Sequence, residues 1–84
     1  MTDRPETAGP EGGGTAAGML TPRQLECLQL AADGLASADI GKRLGLSART
    51  VDDHLTMACR HLGVRTRIQA VVTALTLGLI RPPV

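Results

Sequence analysis

The sequence predicts an all-α fold: a four-helix domain with a central helix-turn-helix, preceded by a disordered N-terminal arm. Apolar residues recur every three or four positions, as on one face of a helix. Ser or Thr caps and Gly stops bound each such segment, and no segment shows the alternation of a half-buried strand. A chain of 84 residues without Phe, Tyr or Trp has room for one small domain with an aliphatic core.

The arm is predicted over residues 1–18, and the folded domain over residues 19–84. Five of the ten glycines and two of the five prolines lie in the first eighteen residues. This segment has too little apolar surface to offset the entropy lost on ordering.

The first helix has the clearest start signals. Thr21 is a suitable N-cap, Pro22 follows at the first helical position, and Gln24 completes a capping box. Gly34 is expected to end the helix, with Leu35 in a Schellman arrangement.

The second and third helices are short segments separated by a tight turn. Ser37 is expected to cap the second helix and Gly45 to end it, while Ser47 caps the third and Gly63 ends it. An apolar stripe on the third helix falls at Val51, Leu55, Ala58 and Leu62.

The segment from Ser37 to Thr56 has the spacing of a helix-turn-helix. Gly41 stands at the fifth position, where the two helices cross closely, and Gly45 at the ninth, where the turn needs a left-handed residue. The apolar positions that hold the two helices together are Ile40, Leu44, Leu46 and Val51.

The fourth helix, capped by Thr66 with Gln69 in a second capping box, is apolar on two sides. The inward face is predicted to be Ile68, Val71, Val72, Leu75 and Leu79. The second ridge is Ala70, Ala74 and Leu77, beside a thin polar stripe that includes Thr73. We expect the second ridge to form a symmetric dimer, unless the core or the arm covers it. The dimerisation residues are then Ala70, Thr73, Ala74 and Leu77.

Charge and composition restrict the partners. The net charge is +1, but the arm is acidic and the rest of the chain carries eight basic against five acidic side chains. That excess permits nucleic-acid binding, while the lack of aromatic residues excludes a stacking platform for single strands. Richness in Ala, Gly and Arg, with Lys42 the one lysine, indicates a bacterial genome of high GC content. With no signal peptide or apolar run long enough to span a membrane, the protein is expected to be cytoplasmic, associated with the nucleoid if it binds DNA, and without a membrane partner.

Six segments in register resemble the LuxR/FixJ/GerE-type helix-turn-helix DNA-binding domain, and the likeness extends from Leu20 to Ile80. They are Leu20-Thr21-Pro22-Arg23, Gly34-Leu35, Ile40 to Ser47, Thr50 to His54, Leu62 to Arg67, and Ala70 to Leu77. The resemblance implies a sequence-specific transcriptional regulator that binds a pseudo-palindromic double-stranded DNA site as a homodimer. In that family the third helix reads the major groove and the fourth mediates dimerisation.

The resemblance places Asp52, Asp53 and Thr56 at base-facing positions, and Arg49, an outward residue of the same helix, is the fourth residue expected to face the bases. Two carboxylates facing phosphate-rich DNA are unfavourable, unless Arg49 pairs with one of them or one accepts from cytosine N4. The alternative is a protein-interaction module of the same fold, with weak or no DNA binding because of Asp52 and Asp53. Another regulator would then be the partner.

Expected phosphate contacts surround this helix: Lys42, Ser47, Thr50, Arg60, His61, Arg65 and Arg67. The alternative for these residues is an ordinary solvated basic surface. A sigma-factor region-4-like domain is a further reading, but His54, the Leu-Gly-Val run that begins at Leu62, and the apolar fourth helix favour the LuxR type. The chain is then either a stand-alone regulator or the C-terminal part of a larger one.

No catalytic or metal-binding pattern is present. Cys27 and Cys59 are expected to be small buried hydrophobes, with a disulfide or a metal as the less favoured alternatives. His54 and His61 lack the spacing of a helical metal site. We expect no metal, no cofactor and no enzyme activity.

Overall fold

The computed structural model describes residues 20–83, and within them the chain forms four helices and no strand. They are α1 (Pro22–Ala32), α2 (Ser37–Leu44), α3 (Ala48–Leu62) and α4 (Arg67–Thr76). The all-α, four-helix prediction is confirmed. The predicted arm, residues 1–18, lies outside the described residues.

Local capping decides where most helices begin and end. Thr21 and Thr66 each form a reciprocal capping box, with Gln24 and Gln69 respectively. After α1, the amide of Leu35 donates to Leu30 O at 3.1 Å, which is the long bond of a Schellman motif. These three predictions are confirmed.

The start of α2 differs from the prediction. Ala36 is its N-cap and makes no side-chain capping bond, and Ser37 is already the first helical residue. The predicted Ser37 cap is wrong because its hydroxyl bonds to groups on α3 and α4 instead.

The close α2–α3 crossing depends on two glycines. A Cβ added at Gly41 would collide with the backbone carbonyl oxygen of Leu46, so only glycine allows the turn to lie so near α2. Gly45 ends α2 with φ of 73°, a left-handed conformation that glycine adopts without strain. Both predictions for the turn are confirmed.

The core is aliphatic and centred on α3, which packs against each of the other helices. Val51, Leu55 and Ala58 are buried, and Leu62 is half-buried at the edge of the core. They form one core cluster with buried residues of the other helices and of the segments before α1 and after α4: Leu20, Cys27, Leu28, Ile40, Ala70, Ala74 and Ile80. Within residues 20–83, no helix combines the length and the apolar character needed to cross a membrane.

The inward face of α4 is only partly as predicted. Three of the five residues expected to face inward are partly buried against the core: Val71, Leu75 and Leu79. The other two, Ile68 and Val72, are 75% and 54% exposed, whereas Ala70 and Ala74, expected on the second ridge, are fully buried. The two alanines face inward because their small side chains allow α4 to approach α1 and α3 closely.

Candidate nucleic-acid interface

A polar stripe covers the face of α3 opposite the core. Its members are exposed and stand at i, i+4, i+7 and i+11, the same spacing as the core residues on the other side. This outward stripe consists of Arg49, Asp53, Thr56 and Arg60. It brings together three of the predicted base-facing residues and one predicted phosphate contact.

Asp52 lies on the flank of α3 and is engaged by another helix. The hydroxyl of Ser37 donates a hydrogen bond to Asp52 Oδ1. Arg67 donates from Nη1 to Ser37 Oγ at 2.9 Å and from Nη2 to the carbonyl of Leu35 at 2.8 Å. Asp52, expected to face bases, and Arg67, expected to contact phosphate, are thus joined through Ser37 in what we call the Ser37 bridge.

The Ser37 bridge links elements that do not otherwise meet. Among the described helices, the backbones of α2 and α4 do not pack together, and the side chain of Arg67 spans the gap between them. Arg67 is half-buried, so its two hydrogen bonds are partly shielded from water. The bridge therefore connects the start of α4 to the start of α2, and through Ser37 to Asp52 on the flank of α3.

The expected pairing of Arg49 with an aspartate is not present. Across residues 20–83 the one ion pair joins Arg23 and Glu26 at 3.3 Å, on α1. The guanidinium of Arg49 and the carboxylate of Asp53 are thus exposed and separate, and each is available to a ligand.

Other residues expected to contact phosphate lie at the end of α2, near the end of α3 and at the α3–α4 junction. Lys42 is exposed in the last turn of α2. Arg65 is exposed at the α3–α4 junction, where it lines a shallow depression of about 220 Å³ together with Asp52, Thr56 and Arg67. His61, near the end of α3, is half-buried.

Ser47 and Thr50 form the N-terminal cap of α3. Ser47 Oγ accepts from the Thr50 amide at 3.1 Å and lies 2.9 Å from Thr50 Oγ1, to which it donates. The α3 start is thus ordered by its own side chains, beside backbone N–H groups that favour an anion.

Sequence reasoning missed two residues of this region. Met57 is 40% exposed and lies one helical turn after Asp53. Its i+4 spacing from Asp53 is the sequence signal that places it on the exposed face of α3. Ser37 was interpreted only as a cap, and no local pattern indicates that it bridges Asp52 and Arg67.

An apolar patch occupies the exposed side of α4. Ile68 and Val72 stand one turn apart and are its most exposed members; Leu77, just past the helix, is 53% exposed. Of the four residues expected at a dimer interface, Ala70 and Ala74 have no exposed surface. Thr73 is half-buried.

Both cysteines are free and buried, as expected for small hydrophobes. Burial raises the pKa of each thiol, and Cys59 Sγ donates to the carbonyl of Thr66 at 3.5 Å. Residues 20–83 contain no group of three or more His, Cys, Asp or Glu side chains placed to hold a metal ion.

Two helices crossing at a tight glycine turn, with the second presenting an exposed polar face, define a helix-turn-helix protein. The family model for bacterial regulatory proteins of the luxR family, GerE, matches residues 18–74. The chain belongs to this family, as its resemblance indicates.

Known proteins agree with this assignment. The chain is 50% identical over 62 residues to the HTH-type quorum sensing-dependent transcriptional regulator RpaR of Rhodopseudomonas palustris, covering 74% of this chain and 26% of RpaR. It is 45% identical over 64 residues to the transcriptional activator protein LuxR of Aliivibrio fischeri, covering 76% of this chain and 26% of LuxR. The chain thus spans about a quarter of the length of these regulators.

A solved structure of the transcription factor GerE has the same fold. It superposes with a TM-score of 0.72 at 35% identity, covering 75% of this chain and 94% of the GerE chain.

Proposed function

We propose that this chain is a sequence-specific, double-stranded DNA-binding domain of a transcriptional regulator, with α3 in the major groove. The observation that carries the proposal is the outward stripe, because its four side chains are exposed on a helix whose opposite face is the core. An α-helix fits the major groove of B-DNA, where exposed side chains reach base edges.

The surrounding residues suit a phosphate backbone. Lys42, in the last turn of α2, and Arg65, at the α3–α4 junction, are exposed cations, and the capped start of α3 presents backbone N–H groups to an anion. Arg60 and His61, in the last turn of α3, extend this basic edge. In helix-turn-helix complexes such contacts set the position of the protein while the helix reads the bases.

Replacing Arg49, a basic residue of the outward stripe, tests whether α3 contacts the bases in the major groove. Arg49→Ala should weaken binding to a preferred duplex about 5- to 100-fold, the range for loss of one base contact. The matched control is Arg81→Ala, which removes the same charge from an exposed residue whose backbone groups are held by Gln29 of α1. Equal affinity of Arg49→Ala and the unmutated chain, measured by fluorescence anisotropy, would contradict the proposal.

We further propose that the chain dimerises through α4, with Ile68 and Val72 at the centre of the interface and Thr73 and Leu77 beside them. Two large aliphatic side chains exposed one turn apart support a helix-on-helix contact. A two-fold dimer would place two α3 helices about one DNA turn apart on a pseudo-palindromic site.

Sedimentation tests the dimer. Ile68→Glu should sediment as a monomer, because the carboxylate would be placed between the two helices. The control, Ala38→Glu, adds the same charge at an exposed position of α2 and should sediment like the unmutated chain. An unchanged sedimentation coefficient for Ile68→Glu would exclude this face. Ala74→Glu is unsuitable because Ala74 lies in the core.

The alternative is a protein-interaction module of the same fold, with weak or no DNA binding because of Asp52 and Asp53. The hydrogen bond from Ser37 holds Asp52 on the flank of α3, so Asp53 is the one aspartate in the outward stripe.

A further inference from the structure

The two adjacent aspartates of α3 differ in their surroundings. Both are exposed, but Asp52 lies on the flank of α3 and accepts a hydrogen bond from Ser37. Asp53 lies in the outward stripe and makes no described hydrogen bond or ion pair within residues 20–83. We propose that Asp53 is a specificity-determining residue that selects a cytosine in each half-site, and that Asp52 is a positioning residue that does not read bases.

The proposal rests on the proposed DNA binding, and deepens it by naming the base. An ionised carboxylate can only accept hydrogen bonds. Close to the phosphates of DNA, it is therefore favourable only where a base offers it a hydrogen-bond donor. In the major groove two bases present an exocyclic amine, cytosine at N4 and adenine at N6.

Of these two bases, cytosine suits Asp53 better. Adenine places its N7 acceptor beside the N6 amine, and that lone pair would face a carboxylate oxygen. Cytosine presents the N4 donor with no neighbouring acceptor on the same edge. Thymine O4 and guanine O6 and N7 are acceptors, so the carboxylate oxygens of Asp53 would be repelled by them.

Arg49 supports the same choice. It precedes Asp53 by one turn and is exposed with no described ion pair. Residues four apart on a helix are about 5–6 Å apart, which spans one to two base-pair steps of about 3.4 Å. A guanidinium there can bind guanine O6 and N7. The two side chains together favour a G·C-containing half-site.

The experiment is selection of bound duplexes from a random pool with three full-length chains: the unmutated protein, Asp53→Asn and Asp52→Asn. Asparagine pairs with adenine through N6 and N7, so Asp53→Asn should change one position of each half-site from cytosine to adenine. The preference between the two bases should shift by roughly 5- to 100-fold.

Asp52→Asn is the matched control, since it removes the same charge at the neighbouring residue and keeps an oxygen to accept from Ser37. Both variants lose one negative charge and should bind DNA in general more tightly, so only the selected bases distinguish them. Asp52→Asn should select the same bases as the unmutated chain.

The outcomes separate the inference from the proposed function. If the unmutated chain selects a motif and Asp53→Asn selects the same motif, Asp53 does not read the base and the inference is wrong. If Asp52→Asn changes the selected base instead, the two roles are reversed and the inference is also wrong. If the unmutated chain selects no motif, sequence-specific binding itself fails.

Discussion

Replacement of Arg67 by alanine tests whether this residue stabilises the fold or contacts phosphate. In the structure its guanidinium makes two hydrogen bonds, at 2.9 Å to Ser37 and at 2.8 Å to the Leu35 carbonyl. Hydrogen bonds to charged groups contribute about 1.5–3 kcal/mol each. Because Arg67 is only half-buried, the lower part of that range applies, and Arg67→Ala should lower the free energy of unfolding by about 2–3 kcal/mol.

In a domain this small, each kcal/mol shifts the melting temperature by about 4–8 °C, so a loss of about 2–3 kcal/mol should lower it by about 8–24 °C. The assay is urea and thermal unfolding of the full chain followed by circular dichroism. Arg65→Ala is the control, since Arg65 is exposed and its side chain makes no described hydrogen bond. That variant should change stability by no more than about 0.5 kcal/mol while weakening DNA binding.

A double-mutant cycle with Ser37→Ala isolates the Arg67–Ser37 contact, and the two changes should be less than additive because each removes the same hydrogen bond. If Arg67→Ala unfolds like the unmutated chain and loses only DNA affinity, the Ser37 bridge does not stabilise the domain, and the phosphate contact expected from sequence is the better account.

Three further outcomes are expected. Gly41→Ala should lower the free energy of unfolding by about 1–3 kcal/mol, because its Cβ meets the Leu46 carbonyl; an unfolding midpoint equal to that of the unmutated chain would contradict the close crossing. Gln29→Ala removes both hydrogen bonds to the Arg81 backbone and should speed amide exchange at Arg81; unchanged exchange would show that they do not order this segment. Burial raises the pKa of the Cys27 and Cys59 thiols above their ordinary value. Where the thiols of the unfolded chain ionise, the folded chain retains its protons, so the contribution of the two thiols to stability is fully present at neutral pH and declines as the pH rises above about 8.5. The chain has no tyrosine and few other groups that titrate there, so a flat unfolding free energy from about pH 8 to 10 would refute this.

Helix boundaries were largely predictable because their causes are local. A Thr followed three residues later by Gln, as at Thr21 and Thr66, satisfies backbone donors within one turn whatever surrounds the helix. The glycines at the α2–α3 turn were also predictable, since the spacing of the helix-turn-helix requires a close approach and a left-handed residue at fixed positions.

Two features depend on tertiary packing and were mispredicted. Periodicity shows that α4 is apolar on two sides but not where the boundary of the buried face lies. Ala70 and Ala74 are buried because they allow close helix packing, and Ile68 and Val72 are left exposed. A serine before a helix is most often its cap, and the distant partners of Ser37 on α3 and α4 depend on how the helices are arranged. Asp52 and Asp53 are adjacent residues of the same type, so the sequence gives no reason to assign them different roles. The hydrogen bond between Ser37 and Asp52, which forms only in the folded domain, distinguishes them.

The salt dependence of duplex binding tests the central claim most directly, that α3 and the cations around it bind double-stranded DNA. We predict retardation of a promoter-length duplex at about 50 mM salt, with log K falling linearly with log salt by about 0.9 for each phosphate neutralised. Arg65→Ala should reduce that slope by about one phosphate. No binding at about 50 mM salt, or binding that does not respond to salt, would contradict the account.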